Sequence, residues 1–337
     1  MVGTFFIGKL AKNLLTKYYR EGVQMQQLNP TPNPFHKLYE LISASLKGFS
    51  QVILVENAVS GFLILIGITL HSPSLGVMAF LSALVGTITA KYCGGDRTMI
   101  SAGIYSFNSV LSGITAILFL TGDKRWFLAL LAAALASLAM AILSKWFAKW
   151  GVPVLTIPFV FITWIGLLVA YRTDKLYMNP DFVTSSPAQW NLPIEGTPTL
   201  LVGLIKGIGE VFVIDSLWTG SFILIGLFLA GWRFGVYAII GTFVSWLAAY
   251  FIGVDTQSLN LGLYNYNAVL TIIAVSLVFD NKAEKTPLTG IIAATLTVPV
   301  TAGLELLLNP LGLPALTFPF ILCTWLFIGA RKFFPKI

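Results

Sequence analysis

Cysteine, histidine and charge are what this chain of 337 residues has least of: two cysteines, two histidines and a charged fraction of 10%. Cys93 and Cys323 each lie in or beside an apolar segment, which leaves no disulfide framework and no zinc site to argue for. His36 and His71 stand alone, without metal-ligand spacing, and read as interfacial or loop residues. The sequence offers no nucleophile–base–acid set and no metal cluster, so an enzyme ranks last among the function classes and no catalytic residue, metal or cofactor is expected. The excess of Lys and Arg over Asp and Glu, 21 to 14, gives a net charge of +7. These cations are scattered through the termini and short breaks instead of clustering with aromatics, which speaks against a nucleic-acid partner and fits positive-inside anchoring.

Apolar side chains are what is there, at 56% of the residues with a mean hydropathy of +0.83. That composition places the chain in a membrane. A helix needs about 20 residues to cross the hydrocarbon core, and the long apolar blocks lack the period-two alternation of barrel strands, so the expected class is an all-α membrane protein. The opening stretch "MVGTFFIGKLAKNLLTKYYR" sets Lys9, Lys12, Lys17 and Arg20 beside Phe5, Phe6, Leu10 and Leu14. It reads as an interfacial amphipathic helix, followed by the linker "NPTPNPF".

An internal repeat decides the architecture. Residues 47 to 111 lie over 206 to 270 without a gap at an offset of 206 − 47 = 159. Lys47-Gly48 falls on Lys206-Gly207, Gln51 on Glu210, Gly61 on Gly220, Gly103 on Gly262, Tyr105 on Tyr264, Asn108 on Asn267 and Leu111 on Leu270. Further on, "VPVLTIPF" and "LPALTFPF" match at 317 − 156 = 161. Each half holds six apolar blocks, in the first at roughly 38 to 55, 58 to 72, 74 to 93, 100 to 121, 126 to 148 and 153 to 170. The first block carries Lys47, Gly48, Ser50 and Gln51, and polar backbone at membrane depth is tolerated only when buried or lining a cavity, so this block is read as re-entrant. About ten transmembrane helices follow, in two inverted five-helix repeats, each with a re-entrant pore half-helix. The expected division is an N-terminal segment 1–36, a first membrane repeat 37–170, a connector 171–198, a second repeat 199–332 and a tail 333–337. Both basic termini should face the cytoplasm.

Three matched sets carry the chemistry. Pro153 and Pro158, with Pro314 and Pro319, are expected to break their helices, Pro158 freeing the carbonyl of Val154 and Pro319 that of Ala315, while Thr156 and Thr317 add hydroxyls. The result would be two short columns of oxygens where the repeats meet. Gln51 and Glu210 share an oxygen acceptor and not a charge, which argues against a proton relay needing a carboxylate in both halves. Phe107 with Leu111, and Tyr266 with Leu270, lie on one helix face each. Flat apolar walls edged by acceptors make a slot for a small, neutral, N–H-rich solute, for which urea is the fitting example.

The two proline–threonine motifs resemble the signature Leu-Pro-x-x-Thr-x-Pro-Phe of the urea transporter family, with Val152 in place of the first leucine. The likeness includes "KGFSQV", "KGIGEV", "WTG" and the Tyr-x-x-Asn repeats and extends over nearly all of residues 40 to 330. It implies a passive, channel-like pathway for urea, with other small amides as further candidates. It also implies one pathway per subunit of a homotrimer, surrounded by lipid, in a plasma membrane (the inner membrane in a bacterium). By position, Thr156 and Thr317 would belong to oxygen ladders and Gln51 and Glu210 would flank two wider sites. Phe107, Leu111, Tyr266 and Leu270 would line the constriction, with Leu54 and Val213 completing the walls. Glu56, Ser216 and the Tyr266 hydroxyl depart from the family pattern.

An ion- or proton-coupled secondary transporter is the alternative reading, since it too uses inverted repeats and broken helices. It would want carboxylates along the path, whereas Glu210 faces Gln51 in the repeat and Glu305 has no acidic counterpart. An ammonium channel comes third, for want of pore histidines.

Overall fold

The structure, a computed structural model, describes residues 34–173, 176–179, 196–279 and 286–334. The N-terminal amphipathic helix expected from the sequence lies outside the described residues, as do most of the linker, most of the connector and the end of the tail; the last two linker residues, Pro34 and Phe35, begin a helix. The chain divides into two units, residues 1–40 and 41–337. In the first, His36 and Glu40 approach to 3.3 Å on an exposed helical turn, where such a pair contributes little. Everything below concerns the second.

The protein is an all-α membrane protein. In the first half the helices are α1 (Pro34–Val52), α2 (Ala58–His71), α3 (Pro73–Tyr92), α4 (Arg97–Ser101), α5 (Phe107–Phe119), α6 (Arg125–Ala148) and α7 (Ile157–Ala170). In the second they are α8 (Leu200–Gly209), α9 (Leu217–Ala230), α10 (Trp232–Phe251), α11 (Thr256–Leu261), α12 (Tyr266–Ile273), α13 (Thr286–Leu308) and α14 (Phe318–Phe333). Beside them the described residues hold one two-stranded ribbon, Leu120–Thr121 against Tyr177–Met178.

The repeat is visible in local structure residue by residue. Asn57 caps α2, accepting from the Val59 and Ser60 amides at 2.9 and 3.1 Å, and its counterpart Ser216 caps α9, accepting from Thr219 at 3.4 Å. Serine thus keeps the capping function that asparagine has in the first half. Asp96 accepts from the Met99 amide and Asp255 from that of Ser258, starting α4 and α11 in the same way. Gly103 and Gly262 take φ of 78° and 74°, and a Cβ at either would press on the backbone of Gly48 or Gly207. Glycine therefore splits the apolar block expected at 100 to 121 into α4, a turn and α5.

Among the described residues four helices, α3, α6, α10 and the α13 region Thr286–Leu311, are individually long and apolar enough to cross a membrane. Residues 200–212 and 217–230 qualify as one broken element, bent by 80°. Helices α5 and α7, of 13 and 14 residues, each rise only about 20 Å, short of the roughly 30 Å of hydrocarbon. Such helices start or stop inside the protein, and where α7 and α14 start is what positions the site.

The halves exchange contacts reciprocally, as about a two-fold axis. Ser60 Oγ donates to the Gly226 carbonyl at 2.7 Å, and its counterpart Thr219 Oγ1 donates to that of Gly67 at 3.2 Å. Each bond joins the first turn of one helix to the last part of the other, so α2 and α9 pack antiparallel. Small residues let these backbones approach; a Cβ on Gly67 would come within 2.7 Å of Phe222.

Candidate functional site

The prolines of the two motifs do not break helices from within, contrary to the expectation for Pro153, Pro158, Pro314 and Pro319. Helix α7 begins at Ile157 and α14 at Phe318, which puts Pro158 and Pro319 in the first turn, where a missing N–H costs nothing. Pro153 and Pro314 lie outside regular structure, in the loops that lead into those helices. Val154 and Ala315 are not freed either: their carbonyls accept from the Ile157 and Phe318 amides at 3.4 and 3.1 Å. What the motif builds is a loop that enters the protein interior and a helix that starts there.

Each loop is pinned by an asparagine from the matched Tyr-x-x-Asn element. Asn108, wholly buried on α5, donates to the Leu155 carbonyl at 3.2 Å and accepts from the Phe159 amide at 3.2 Å. Asn267 on α12 does the same with Leu316 at 3.2 Å and Phe320 at 3.1 Å. One side chain thus holds the loop carbonyl and an otherwise orphaned amide of the helix start. Phe159 and Phe320 are buried beside these amides.

The two helix starts meet at Thr156 and Thr317, whose hydroxyls are 2.7 Å apart and almost wholly buried. From there α7 and α14 diverge, each along the other half's approach loop. Trp164 Nε1 donates to the Pro314 carbonyl at 2.8 Å, and Trp325 Nε1 donates to that of Pro153 at 2.9 Å. Farther out, Tyr171 Oη donates to Gly312 and Lys332 Nζ to the Trp150 carbonyl.

On the first-half side, Gln51, Leu54, Phe107 and Pro153 come together in a cavity of about 380 Å³, with Val152, Val154 and Leu155 along it and Phe279 from the other half. Gln51 Nε2 donates to the Ala102 carbonyl at 3.0 Å, which leaves its Oε1 as the acceptor. Leu111, one turn beyond Phe107, is wholly buried and does not line this cavity. On the second-half side Glu210, Tyr266 and Leu270 are buried. Lys206 pairs with Asp215 at 2.8 Å, as Lys47 pairs with Glu56 at 2.7 Å, so Glu56 has an acidic counterpart and each half clasps its helix break with one ion pair.

Backbone strain marks the same places. Leu54, Leu155, Val213 and Leu316 have φ of 61°, 54°, 59° and 49°, a region that costs a non-glycine residue roughly 1–2 kcal/mol. They form two matched pairs. Leu54 and Val213 close their turns by donating to the carbonyls of Gln51 and Glu210, at 2.9 and 2.8 Å. Leu155 and Leu316 immediately precede the two threonines. Strain duplicated at equivalent positions is held there by the surroundings, and its place is beside the cavity and the threonine contact.

The two loop carbonyls are held differently. Tyr266 Oη donates to the Leu316 carbonyl at 2.7 Å, in addition to Asn267, so both lone pairs of that oxygen are engaged. Leu155, facing Phe107, receives only Asn108 among these side chains. Reading the sequence missed the clamping role of Asn108 and Asn267 and the Trp164 and Trp325 exchange. The signal was present, because the offset of 161 carries Trp164 onto Trp325.

The chain matches the family profile described as UT, urea transporter, across residues 42–332. It is similar to urea transporter 1 of Rattus norvegicus, 30% identical over 301 residues, covering 87% of this chain and 77% of the relative. Urea transporter 1 of Ovis aries is 29% identical over 304 residues and that of Mus musculus 29% over 306, with the same coverage.

Proposed function

We propose a function from one premise: the chain belongs to the urea transporter family. It is a passive transporter of urea and not an enzyme. The observation that carries the mechanism is the meeting of two copies of one motif at Thr156 and Thr317. A solute that sheds water to pass an apolar slot needs replacement hydrogen bonds at each step, and a row of oxygens supplies them to the N–H groups of urea.

In this reading the solute enters the cavity at Gln51, Leu54 and Phe107, whose Gln51 Oε1 accepts from it, and slides past Phe107 and Leu111. It crosses at Thr156 and Thr317, and leaves along Leu270, Tyr266, Val213 and Glu210. Second lone pairs on carbonyls already held by one protein donor, such as that of Leu155, form the ladder, which fixes the oxygens without exhausting them; the Leu316 carbonyl, held twice, offers none. Fixed acceptors lower the barrier without reorganising. An ion would gain no comparable replacement for its hydration in such a slot.

The halves, 37–170 and 199–332, sit inverted in the membrane, joined by 171–198; the antiparallel packing of α2 on its counterpart α9 supports this. The shorter helices and the broken elements make up the remaining crossings of about ten. The segments 1–36 and 333–337 and both termini face the cytoplasm, given their basic residues. We assign the protein to the plasma membrane, the inner membrane in a bacterium, as a lipid-surrounded homotrimer with one pathway per subunit.

Stopped-flow shrinkage of proteoliposomes tests the solute. Urea should equilibrate far faster than in protein-free vesicles while ammonium and sodium salts do not, and permeation of those ions as fast as urea would overturn the reading.

A further inference from the structure

The cavity of the first half is lined in part by the other half. Val278 and Phe279, which follow α12, reach it beside Gln51, Leu54 and Phe107. Exposure orders this lining. Phe107, 5% exposed, lies at the inner end; Val278, 38% exposed, belongs to the rim; Phe279 is intermediate. A solute coming in over the rim therefore meets the Phe279 ring before that of Phe107.

The repeat does not account for this ring. The offset between the halves is 159 at Leu111 and Leu270 but 161 at Arg125 and Thr286, where α6 and α13 begin, so the second half holds two more residues in between. A π-turn over Ala274–Val278 takes up one of them: the Phe279 amide donates to the Ala274 carbonyl, five residues back, at 2.8 Å. In the first half α5 ends on an ordinary four-residue bond, from the Leu120 amide to the Ala116 carbonyl. Single π-turns within helices gather at functional sites.

Arg331 fixes the end of that turn. It lies on α14, 7% exposed, and donates from Nη1 to the Phe279 carbonyl and from Nη2 to that of Val275, both at 2.9 Å. Carbonyls of a last helical turn lack partners within the helix, and the rigid fork of a guanidinium holds two at once. Phe279 is thus held through its amide and its carbonyl. The offset that carries Trp164 onto Trp325 carries Ala170 onto Arg331, so the first half has no such clamp.

We propose that Phe279 is a specificity-determining residue at the entrance of the first-half cavity, that Arg331 is its positioning residue, and that together they hold back N-alkylated ureas. The inference rests on the reading that the solute enters through this cavity. Urea is flat and carries no apolar substituent, whereas an N-methyl group adds width and removes an N–H. A wall discriminates by one carbon only if it does not yield, and a ring whose backbone is held on both sides does not.

The test is the ratio of N-methylurea to urea flux in proteoliposomes, corrected for protein-free vesicles, for the parent, Phe279→Ala, Phe279→Trp, Arg331→Met and Arg331→Lys. Phe279→Ala should raise the ratio by about tenfold or more, the discrimination that one carbon gives in a fitted pocket. Phe279→Trp should lower it. Arg331→Met should raise it, and Arg331→Lys, which can still reach one carbonyl, should fall between Arg331→Met and the parent; a rise in Arg331→Lys serves alone if Arg331→Met does not fold. A merely structural role would lower both fluxes together and leave the ratio at the parent's value. A parental ratio in Phe279→Ala, with urea still passing, would overturn this inference alone, whereas failure of urea to pass in the parent would overturn the reading beneath it as well. A raised ratio in Phe279→Ala with parental ratios in both Arg331 variants would overturn the positioning role.

Discussion

The hydroxyls of Thr156 and Thr317 lie 2.7 Å apart although 161 residues separate them in the chain. Two hydroxyls in one hydrogen bond still hold one unspent proton and several lone pairs, enough to bond both the carbonyl and the N–H groups of urea in passing. Replacing either threonine with valine keeps the shape and removes an oxygen. With about 1–3 kcal/mol for an unreplaced buried bond, urea flux should fall by about tenfold or more in either variant. Stopped-flow rates per reconstituted protein check this, and parental flux in both well-folded variants would place the barrier elsewhere.

The extra bond from Tyr266 to Leu316 predicts opposite effects in the two halves. Tyr266→Phe releases a lone pair of the Leu316 carbonyl to the solute and should raise urea flux. Phe107→Tyr can place a hydroxyl on Leu155 and should lower it. A net hydrogen bond is worth about 0.5–1.5 kcal/mol, so each change should be about two- to tenfold. Changes of the same sign would show that the ring, and not the hydroxyl, sets the rate.

Reciprocal contacts predict reciprocal stabilities. Trp164→Phe and Trp325→Phe each leave one proline carbonyl short of a donor while keeping an aromatic ring. Each should cost about 1 kcal/mol, read as matched falls in melting midpoint. One silent variant would mean that the two-fold relation does not extend to energetics.

Much of this site could be read from the sequence because duplication doubles every signal. Lys47, Gln51, Asn108 and Thr156 each acquire a partner at a fixed offset, and the meeting of the threonines follows from that. The motif prolines were misread because proline within an apolar run means a kink if the helix is continuous and a start if it is not, and hydropathy does not distinguish the two. Nor could the left-handed Leu54, Leu155, Val213 and Leu316 be foreseen. Leucine and valine carry no local preference for that region; tertiary contacts impose it. The bond between Tyr266 and Leu316 is likewise tertiary, joining residues 50 apart in the chain.

Glu210 distinguishes an acceptor from a charge. Glu210→Gln keeps an oxygen and should retain most of the urea flux, whereas Glu210→Leu should lose much of it, as Gln51→Leu should in the other half. Dependence of flux on the carboxylate itself, with Glu210→Gln as impaired as Glu210→Leu, would contradict the acceptor role.

The most direct measurement is the internal urea concentration of proteoliposomes at equilibrium under an imposed pH or sodium gradient. A passive slot can only equalise concentrations, so internal and external urea should become equal whatever the gradient. Accumulation of urea above the external level, lost in Glu210→Gln, would contradict the account and establish a coupled carrier.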